Sequence, residues 1–345
     1  MIVCKEISFE NNLSWDDLIK KSVTATFFQT KDWLETWLKH FPAEHTIIGV
    51  YEGQELIGIA PLAIATLKGQ TLKGTGFWGV STVLNGELVS DYGDIIATKG
   101  REKEVWEAIL RELNNVTMKP ASPAGRQFNN EKKEFNFIRE DSPSLEILID
   151  LGGETEEVDV APYLDLPMTP EEYMESLDRH NRHELKRKMR KIENEDVTVV
   201  PSSGGLNDIN ELFRLMEISS EEKRRFLSPE MKAYFQELIT KGYINKTAEL
   251  MFMQKDNINI ATTLSFHYRE DVLLYNSGFD PKFGYLSAGL ILKAHLIKHA
   301  IEQKKKRFDF LRGNERYKYD LGGKERKLYK IRFQGSGFSN ENKLI

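Results

Sequence analysis

The polar and apolar positions of the chain change period several times, and each change predicts an element. In "FFQTKDWLETWLKHF", apolar residues recur at Trp33, Leu34, Trp37, Leu38 and Phe41, with Thr30 placed to cap and Pro42 to stop the helix. Next, "HTIIGVYEGQELIGIAPLAIA" gives two β-rich runs split at Glu52-Gly53-Gln54, a hairpin pattern. Shorter β-like runs, "TGFWGV" and "DYGDIIA", precede a helix expected over residues 101–113. Between residues 117 and 144, Pro120, Pro123, Pro143 and the polar run "GRQFNNEKKEF" predict irregular chain, and "SLEILIDL" then reads as a strand.

The acidic, glycine-containing segment "GGETEEVDVAP" (152–162) is the expected crossing between two domains, 1–155 and 156–345. After it, Thr169-Pro170-Glu171-Glu172 forms a capping box with proline at the first helical position, opening a helix that the pattern extends to about Asn194. A strand "VTVVP" and two helices, "LNDINELFRLMEISS" and "SPEMKAYFQELITK", come next. Three strand-like runs, "AELMFMQK", "INIATTLSFHY" and "VLLYNSG", lead to a helix, then to the strands "KRFDFLRG" and "RKLYKIRFQ". The order β-α-α-β-β-β-α-β describes an α+β fold with a mixed, mostly antiparallel sheet flanked by helices. A doubly wound parallel sheet needs a helix between nearly all its strands, and those are missing. The layout of residues 47–64 is echoed in 250–266, with Ile59-Ala60 matching Ile260-Ala261, as in a duplicated domain or in two unrelated hairpins.

Composition narrows the class. At 345 residues the length suits two domains, and 40% hydrophobic with 29% charged residues is ordinary for a globular protein. A net charge of −5 argues against global attraction to nucleic acid or membrane, although local patches remain open. Cys4 is the only cysteine, so neither a disulfide framework nor a cysteine-based zinc site is expected. No apolar run has the length of a signal segment or a membrane span, which makes a cytoplasmic protein the default expectation.

The chemistry concentrates in two places. "VLLYNSGFDPKFGYLSAGLILKAHLIKHA" (272–300) is a strand, a turn and a helix whose mouth carries Ser287, Ala288 and Gly289. The first N–H groups of a helix lack partners and carry partial positive charge, and glycine lets a phosphate approach the backbone. An anion cradle and an ordinary strand-to-helix turn both fit. The helix would pack through Leu286, Leu290, Ala294, Ile297 and Ile301. His295 and His299 share a face of it but lack the carboxylate of a metalloprotease pattern, so no metal site is expected. The second place, "FDFLRGNERYKYDLGG" (308–323), sets Asp309, Glu315, Tyr317 and Lys318 close together, a base, an acid and an anion clamp or else a salt-bridged surface loop. "DRHNRHELKRKMRKIE" (178–193) is a basic helix, either a solvated face or a surface for phosphates, with Arg182 the arginine expected to face a ligand.

Taken in order, "FFQTKDWLETWLKHF", "SDYGDII" (90–96), "YMESLDRHNRHELKRKMRKIE", "NSGFDPKFGYLSAGLIL" and "FDFLRGNERYKYDLGG" resemble the CelD-like acetyltransferases of the GNAT superfamily, relatives of the FemAB peptidyltransferases. The resemblance implies two tandem GNAT-like domains, the first degenerate and the second carrying the site. It implies an N-acyltransferase in which an amine attacks an acyl-CoA directly, acetyl-CoA or another, without a metal. Phe283, Gly284, Tyr285, Leu286, Ser287, Ala288 and Gly289 would hold the diphosphate, although the usual Q/R-x-x-G-x-G/A signature is absent from "FGYLSAG". Backbone N–H near Asn276 and Ser277 would polarise the acyl carbonyl. Glu315 or Asp309 would act as base, Tyr317 as acid and Lys318 as a binding group, with Arg182, Tyr275, Arg312 and Asp91 on the substrate. The acceptor would be an amino sugar on a saccharide or a peptide amine. Two alternatives remain open: a Fem-like enzyme using aminoacyl-tRNA, and a binding module without catalysis.

Overall fold

The computed structural model describes residues 1–9, 14–43, 45–66, 78–81, 89–115 and 132–333. Residues 75–77 of "TGFWGV" and the proline-bearing stretch 117–131 lie outside them. The chain divides into two compact units, one of residues 1–159 with 327–345, the other of residues 160–326.

The first unit runs β1 (Ile2–Glu6), α1 (Trp15–Lys21), α2 (Lys31–His40), β2 (His45–Glu52), β3 (Glu55–Thr66), β4 (Trp78–Ser81), β5 (Ile96–Ala97), α3 (Glu102–Asn115), β6 (Lys132–Arg139), α4 (Pro143–Asp150) and β7 (Glu154–Val160). The second runs β8 (Tyr163–Asp165), α5 (Pro170–Ser176), α6 (Arg179–Glu193), β9 (Val197–Pro201), α7 (Leu206–Ser219), α8 (Glu221–Phe226), α9 (Pro229–Ile244), β10 (Ala248–Lys255), β11 (Ile258–Tyr268), β12 (Asp271–Phe279), α10 (Ala288–Glu302), β13 (Arg307–Asp309) and α11 (Arg316–Asp320). A last strand, β14 (Lys327–Phe333), returns to the first unit and pairs with β6, Leu328 opposite Arg139. The sequence expectation had kept this strand in a domain 156–345; strand pairing, not chain order, decides its place.

Both sheets follow one plan. The first has the order β1-β2-β3-β4-β6-β14-β7 with β5 on β3, and the second β8-β13-β12-β11-β10-β9. The echo between 47–64 and 250–266 corresponds to two hairpins, β2–β3 and β10–β11, each turning over two residues and each with one register shift. In both units a parallel pair closes the plan, β4 on β6 and β12 on β13. Separate cores form, one around Val50, Trp106, Ile109 and Phe135, the other around Tyr173, Leu274, Leu292, Ile297 and Phe308.

Three elements differ from expectation. Residues 132–139, within the stretch expected to be irregular, form strand β6, held by β4 on one side and β14 on the other. "SLEILIDL" is helix α4 rather than a strand, because Ser142 caps it by accepting from Ser144 N–H and Pro143 opens its first turn. The helix opened by Thr169 stops at Ser176, and Asp178 starts α6 anew by accepting from the N–H groups of His180 and Asn181. The capping box itself is present, with Thr169 and Glu172 each bonded to the other's backbone N–H.

The Ser142 cap belongs to a buried network. Asp94 accepts from Ser142 Oγ at 2.6 Å, Ser144 Oγ at 2.6 Å and Ile95 N–H at 2.7 Å, while Trp106 Nε1 donates to Ser144 Oγ at 2.8 Å. Burial pushes the Asp94 carboxyl from its ordinary 3.8 up to about 6, against the pull of those hydrogen bonds. The native state therefore holds an extra proton between about pH 4 and pH 6 relative to the unfolded chain. That stabilising contribution is complete below pH 4 and is lost as pH rises through 6. Asp94→Asn is expected to remove about 2–3 kcal/mol of pH dependence across this window, read as the difference between wild-type and variant urea-denaturation curves at pH 4, 5, 6 and 7. Parallel pH profiles would show that Asp94 is ionised throughout.

Candidate functional site

Strand β12 carries the site because its two edges behave differently. Along β11 it is paired to its end, with a register shift that leaves Tyr275 as an extra residue between Leu274 and Asn276. Such a bulge bends the strand and increases its twist. Along β13 the parallel pairing stops at Leu273 opposite Asp309, and beyond that point the chain after β13 turns to the β8 segment, Phe310 N–H donating to Pro162 O and Gly313 N–H to Val160 O. The ladder is thus interrupted, leaving a gap in the pairing between β12 and the 310–313 segment. The far face of β12 is fixed: a Cβ on Gly278 would lie 2.5 Å from the backbone of Leu215 and Met216, so α7 packs directly against the strand.

The turn after β12 is a 3-10 segment, Pro281–Leu286, followed by Ser287 in the left-handed region (φ 54°) and then by α10. Asp280 starts it by accepting from Lys282 N–H. Lys191, at the end of α6, donates to Tyr285 O at 2.9 Å and lies over the Tyr285 ring. The mouth of α10 has room at Gly284, where a Cβ would meet nothing within 4 Å, while one on Gly289 would come into ordinary contact with Phe279, from 3.6 Å. Leu286 and Ala288 point into the core, Phe283 and Ser287 are half-buried, and Gly284 and Tyr285 are exposed. Of the two strand residues expected to polarise a carbonyl, Ser277 already donates its N–H to Asn276 Oδ1 at 2.9 Å and accepts at its carbonyl from Lys223 Nζ.

The opposite lip is built by Lys318. Its ammonium, 1% exposed, donates to the carbonyls of Leu311 (2.9 Å), Arg312 (2.7 Å) and Gly313 (3.0 Å) and pairs with Glu315 Oε2 at 2.9 Å. Leu311 and Gly313 both have positive φ, so this tight turn is strained and Lys318 holds it from within. Burial works against ionisation of Glu315, but the hydrogen bond and charge of Lys318 outweigh it and hold the carboxyl below its ordinary range. Burial, with the neighbouring Glu315, pushes the Tyr317 phenol well above its ordinary value, so it is a proton donor at neutral pH. Asp309 turns away from these groups. It accepts from Arg326 Nη2 at 2.6 Å and from Leu311 N–H at 2.8 Å, both partners buried.

Two further lysines reach this region, and sequence reasoning passed over both. Lys223 of α8 holds the Ser277 carbonyl, and Lys293 of α10 lies 3.2 Å from Gly289 O and 4.7 Å from the centre of the Tyr317 ring. Burial pulls the Lys293 ammonium down to about 7, with the charge of Lys223 adding to the effect. Lys293 breaks the apolar stripe of α10 between Leu290 and Ile297, a signal the sequence did contain. Lys223, in "SSEEKRRF", sits in a mixed-charge run with nothing to mark it.

The other expected residues are more dispersed. Tyr275 packs its ring on Phe235 and Phe266. Arg312 lies on the Lys318 turn, with its carbonyl in Lys318's grip. Arg182 donates to Glu175 O at 3.1 Å across the α5–α6 break. Asp91 is half-buried in the first unit. Among the described residues no group of three or more histidine, cysteine, aspartate or glutamate side chains is arranged to hold a metal, and no helix is long and apolar enough to cross a membrane.

No curated protein matches the chain. Residues 179–319 match the family model described as "Acetyltransferase (GNAT) domain". Among solved structures, FemX is similar over 96% of this chain and 97% of its own, with 14% identity and a TM-score of 0.66. L-PGS from Bacillus licheniformis is similar over 95% of this chain and 93% of its own, at 13% identity and a TM-score of 0.55. A tandem GNAT protein from the clavulanic acid biosynthesis pathway is similar over 98% of this chain and all of its own, at 10% identity and a TM-score of 0.53. At such identities these likenesses concern the fold, and they agree with the duplicated sheet plan found here. The chain therefore has an α+β fold of two similarly built units, like that of FemX and of the tandem GNAT protein, and its residues 179–319 match an acetyltransferase (GNAT) domain.

Proposed function

We propose that the second unit transfers an acyl group from an acyl-CoA to an amine, with the gap beside β12 as the place of transfer. The observation that carries this reading is the parting of β12 from β13 after Leu273 and Asp309, directly before a helix mouth with room at Gly284. The N–H groups of Ala288 and Gly289, in the first turn of α10, have no partner four residues back within that helix. With the 283–287 turn, exposed at Gly284 and Tyr285, they would hold a diphosphate, and the helix end favours its charge by about 0.3–1 kcal/mol. The fit is good in space, since neither Gly284 nor Gly289 is crowded. On the strand edge it is less direct, because Ser277 is already engaged by Asn276 and Lys223.

Glu315, ionised at neutral pH, is the group to take a proton from the acceptor's ammonium so that the free amine can attack the thioester carbonyl, and Tyr317 the group to protonate the thiolate that leaves. Placed proton transfer of this kind contributes about 10²–10⁴-fold. Lys318 sets the turn on which both stand. Asp309 has no part in proton transfer in this scheme: it is a positioning residue for the turn at Leu311. The acceptor, an amino sugar or a peptide amine, is left open by these groups.

One observation favours a second reading, a FemAB-like transferase using aminoacyl-tRNA. The face of α6 exposes Lys186, Arg187, Arg190 and Lys191, and the last of these is tied to the donor turn at Tyr285. Calorimetry with CoA and with tRNA separates the readings. CoA is expected to titrate the wild-type chain, and Gly289→Trp, which fills the helix mouth, to abolish the heat. Absence of CoA binding alongside tRNA binding that weakens steeply with salt would transfer the assignment to the second reading. Failure of both ligands would leave a binding module.

A further inference from the structure

The charges lining the gap do not balance. Lys318 and Glu315 form one ion pair at 2.9 Å and neutralise each other. Tyr317 is neutral. That leaves Lys223 and Lys293 to share the remaining influence of Glu315, with the exposed Glu222 also acting on Lys223. Lys293 is 7% exposed, and its contacts are a backbone carbonyl and an aromatic face rather than a carboxylate. Lys223 is partly buried and directs its ammonium to the Ser277 carbonyl, on the strand that forms the other side of the gap. The two are near enough to repel, and each loses hydration by burial. Buried charges that outnumber their counter-charges cost free energy. A fold that places two of them at one opening, on different helices, is organised to receive negative charge there.

From this geometry we infer that Lys223 and Lys293 form a subsite for a phosphate group of the substrate, inside the gap between β12 and the 310–313 segment. The charge count sets the class. Lys293, drawn down to about 7 by burial, is held charged once an anion lies beside it, so the two lysines together match a group carrying close to two negative charges, as a phosphate monoester does, whereas one carboxylate would leave half the excess uncompensated. The subsite adjoins the mouth of α10. The Lys293 side chain reaches back one turn to Gly289 O, and Lys223 approaches from α8 and holds the Ser277 carbonyl. The inference deepens the acyl-transfer reading and rests on it for taking the gap as a substrate site. The phosphate belongs either to the acceptor or to the donor, and its recognition chemistry is the same in both cases.

The test uses the full chain without any donor, at constant ionic strength and pH 7.5. Inorganic phosphate and O-phosphoethanolamine, a minimal primary amine with a phosphate monoester, are titrated calorimetrically, with ethanolamine as the uncharged-end control. Both phosphates are expected to bind in the millimolar range or tighter and ethanolamine not to bind. Lys293→Met and Lys223→Met are each expected to weaken phosphate binding by about tenfold, the scale of one lost charged hydrogen bond. Methionine keeps the aliphatic stem, and the more exposed Lys223 provides a variant whose folding is not at issue. Repeating the titration in saturating CoA distinguishes the sources. Undiminished binding, tighter for O-phosphoethanolamine than for phosphate, assigns the subsite to the acceptor, and competition assigns it to the donor. If wild type binds neither phosphate, or if both variants bind as wild type does, the subsite does not exist. A chain that binds phosphate through these lysines but never binds CoA would keep the subsite and lose the acyl-CoA reading.

Discussion

Lys318→Met is expected to lower the melting temperature of the chain by about 6–20 °C and to abolish acyl transfer. The side chain is buried, and its three hydrogens are divided among the Leu311, Arg312 and Gly313 carbonyls while its charge meets Glu315. Methionine fills similar space but donates nothing, so three carbonyls and a carboxylate lose their partner together. Removing one member of such a buried arrangement costs about 3–5 kcal/mol, and a unit of this size loses about 2–4 °C per kcal/mol. The two residues of the turn with positive φ, Leu311 and Gly313, have less to hold them once the ammonium is gone. Glu315 loses the influence that keeps its carboxyl low, and burial then acts on it unopposed by that partner. A thermal melt and a single-turnover assay on the same preparation check both effects. A shift below about 2 °C would mean that the turn stands without its lysine.

The importance of Lys318 was legible in the sequence only as membership of a polar cluster. "RYKYDLGG" announces chemistry by its residue types, yet nothing in its spacing says that the lysine turns inward to collect three carbonyls five to seven residues before it. The same limit applies to Asp309. Alternation along "FDF" correctly set it on the face opposite Phe308 and Phe310, but its partner Arg326 lies seventeen residues on, past α11 and two glycines. Local signals fared better. The Thr169 capping box, the hairpin turns at Gly53 and at Asp256-Asn257, and the helix mouth at Ala288 each follow from a handful of neighbouring residues, and each is present. "SLEILIDL" shows where local reading fails: eight residues with apolar positions at both periods suit a strand or a helix equally, and the decision came from Ser142 and Pro143 just outside the run. The return of β14 to the first sheet had no local signal, because strand partners are chosen by tertiary pairing.

The Asp309–Arg326 pair separates two roles that an activity assay alone would confuse. If Asp309 were the base, Asp309→Asn would abolish transfer while leaving stability nearly unchanged. The structure leads to the opposite expectation. The asparagine keeps an acceptor for Leu311 N–H but strands a guanidinium that is 1% exposed, and Arg326→Met strands a carboxylate that is 3% exposed. Each single change is expected to cost about 3–5 kcal/mol, because it leaves one buried charge without its partner. The double variant, Asp309→Asn with Arg326→Met, is neutral at both positions and is expected to cost about 2 kcal/mol less than the two single changes added together. Urea denaturation of the four proteins closes the cycle. Residual transfer in the double variant, measured where it is folded, would place Asp309 behind the turn rather than in the reaction. A cycle that sums without coupling, with transfer lost in every variant lacking the carboxylate, would return Asp309 to the role of base.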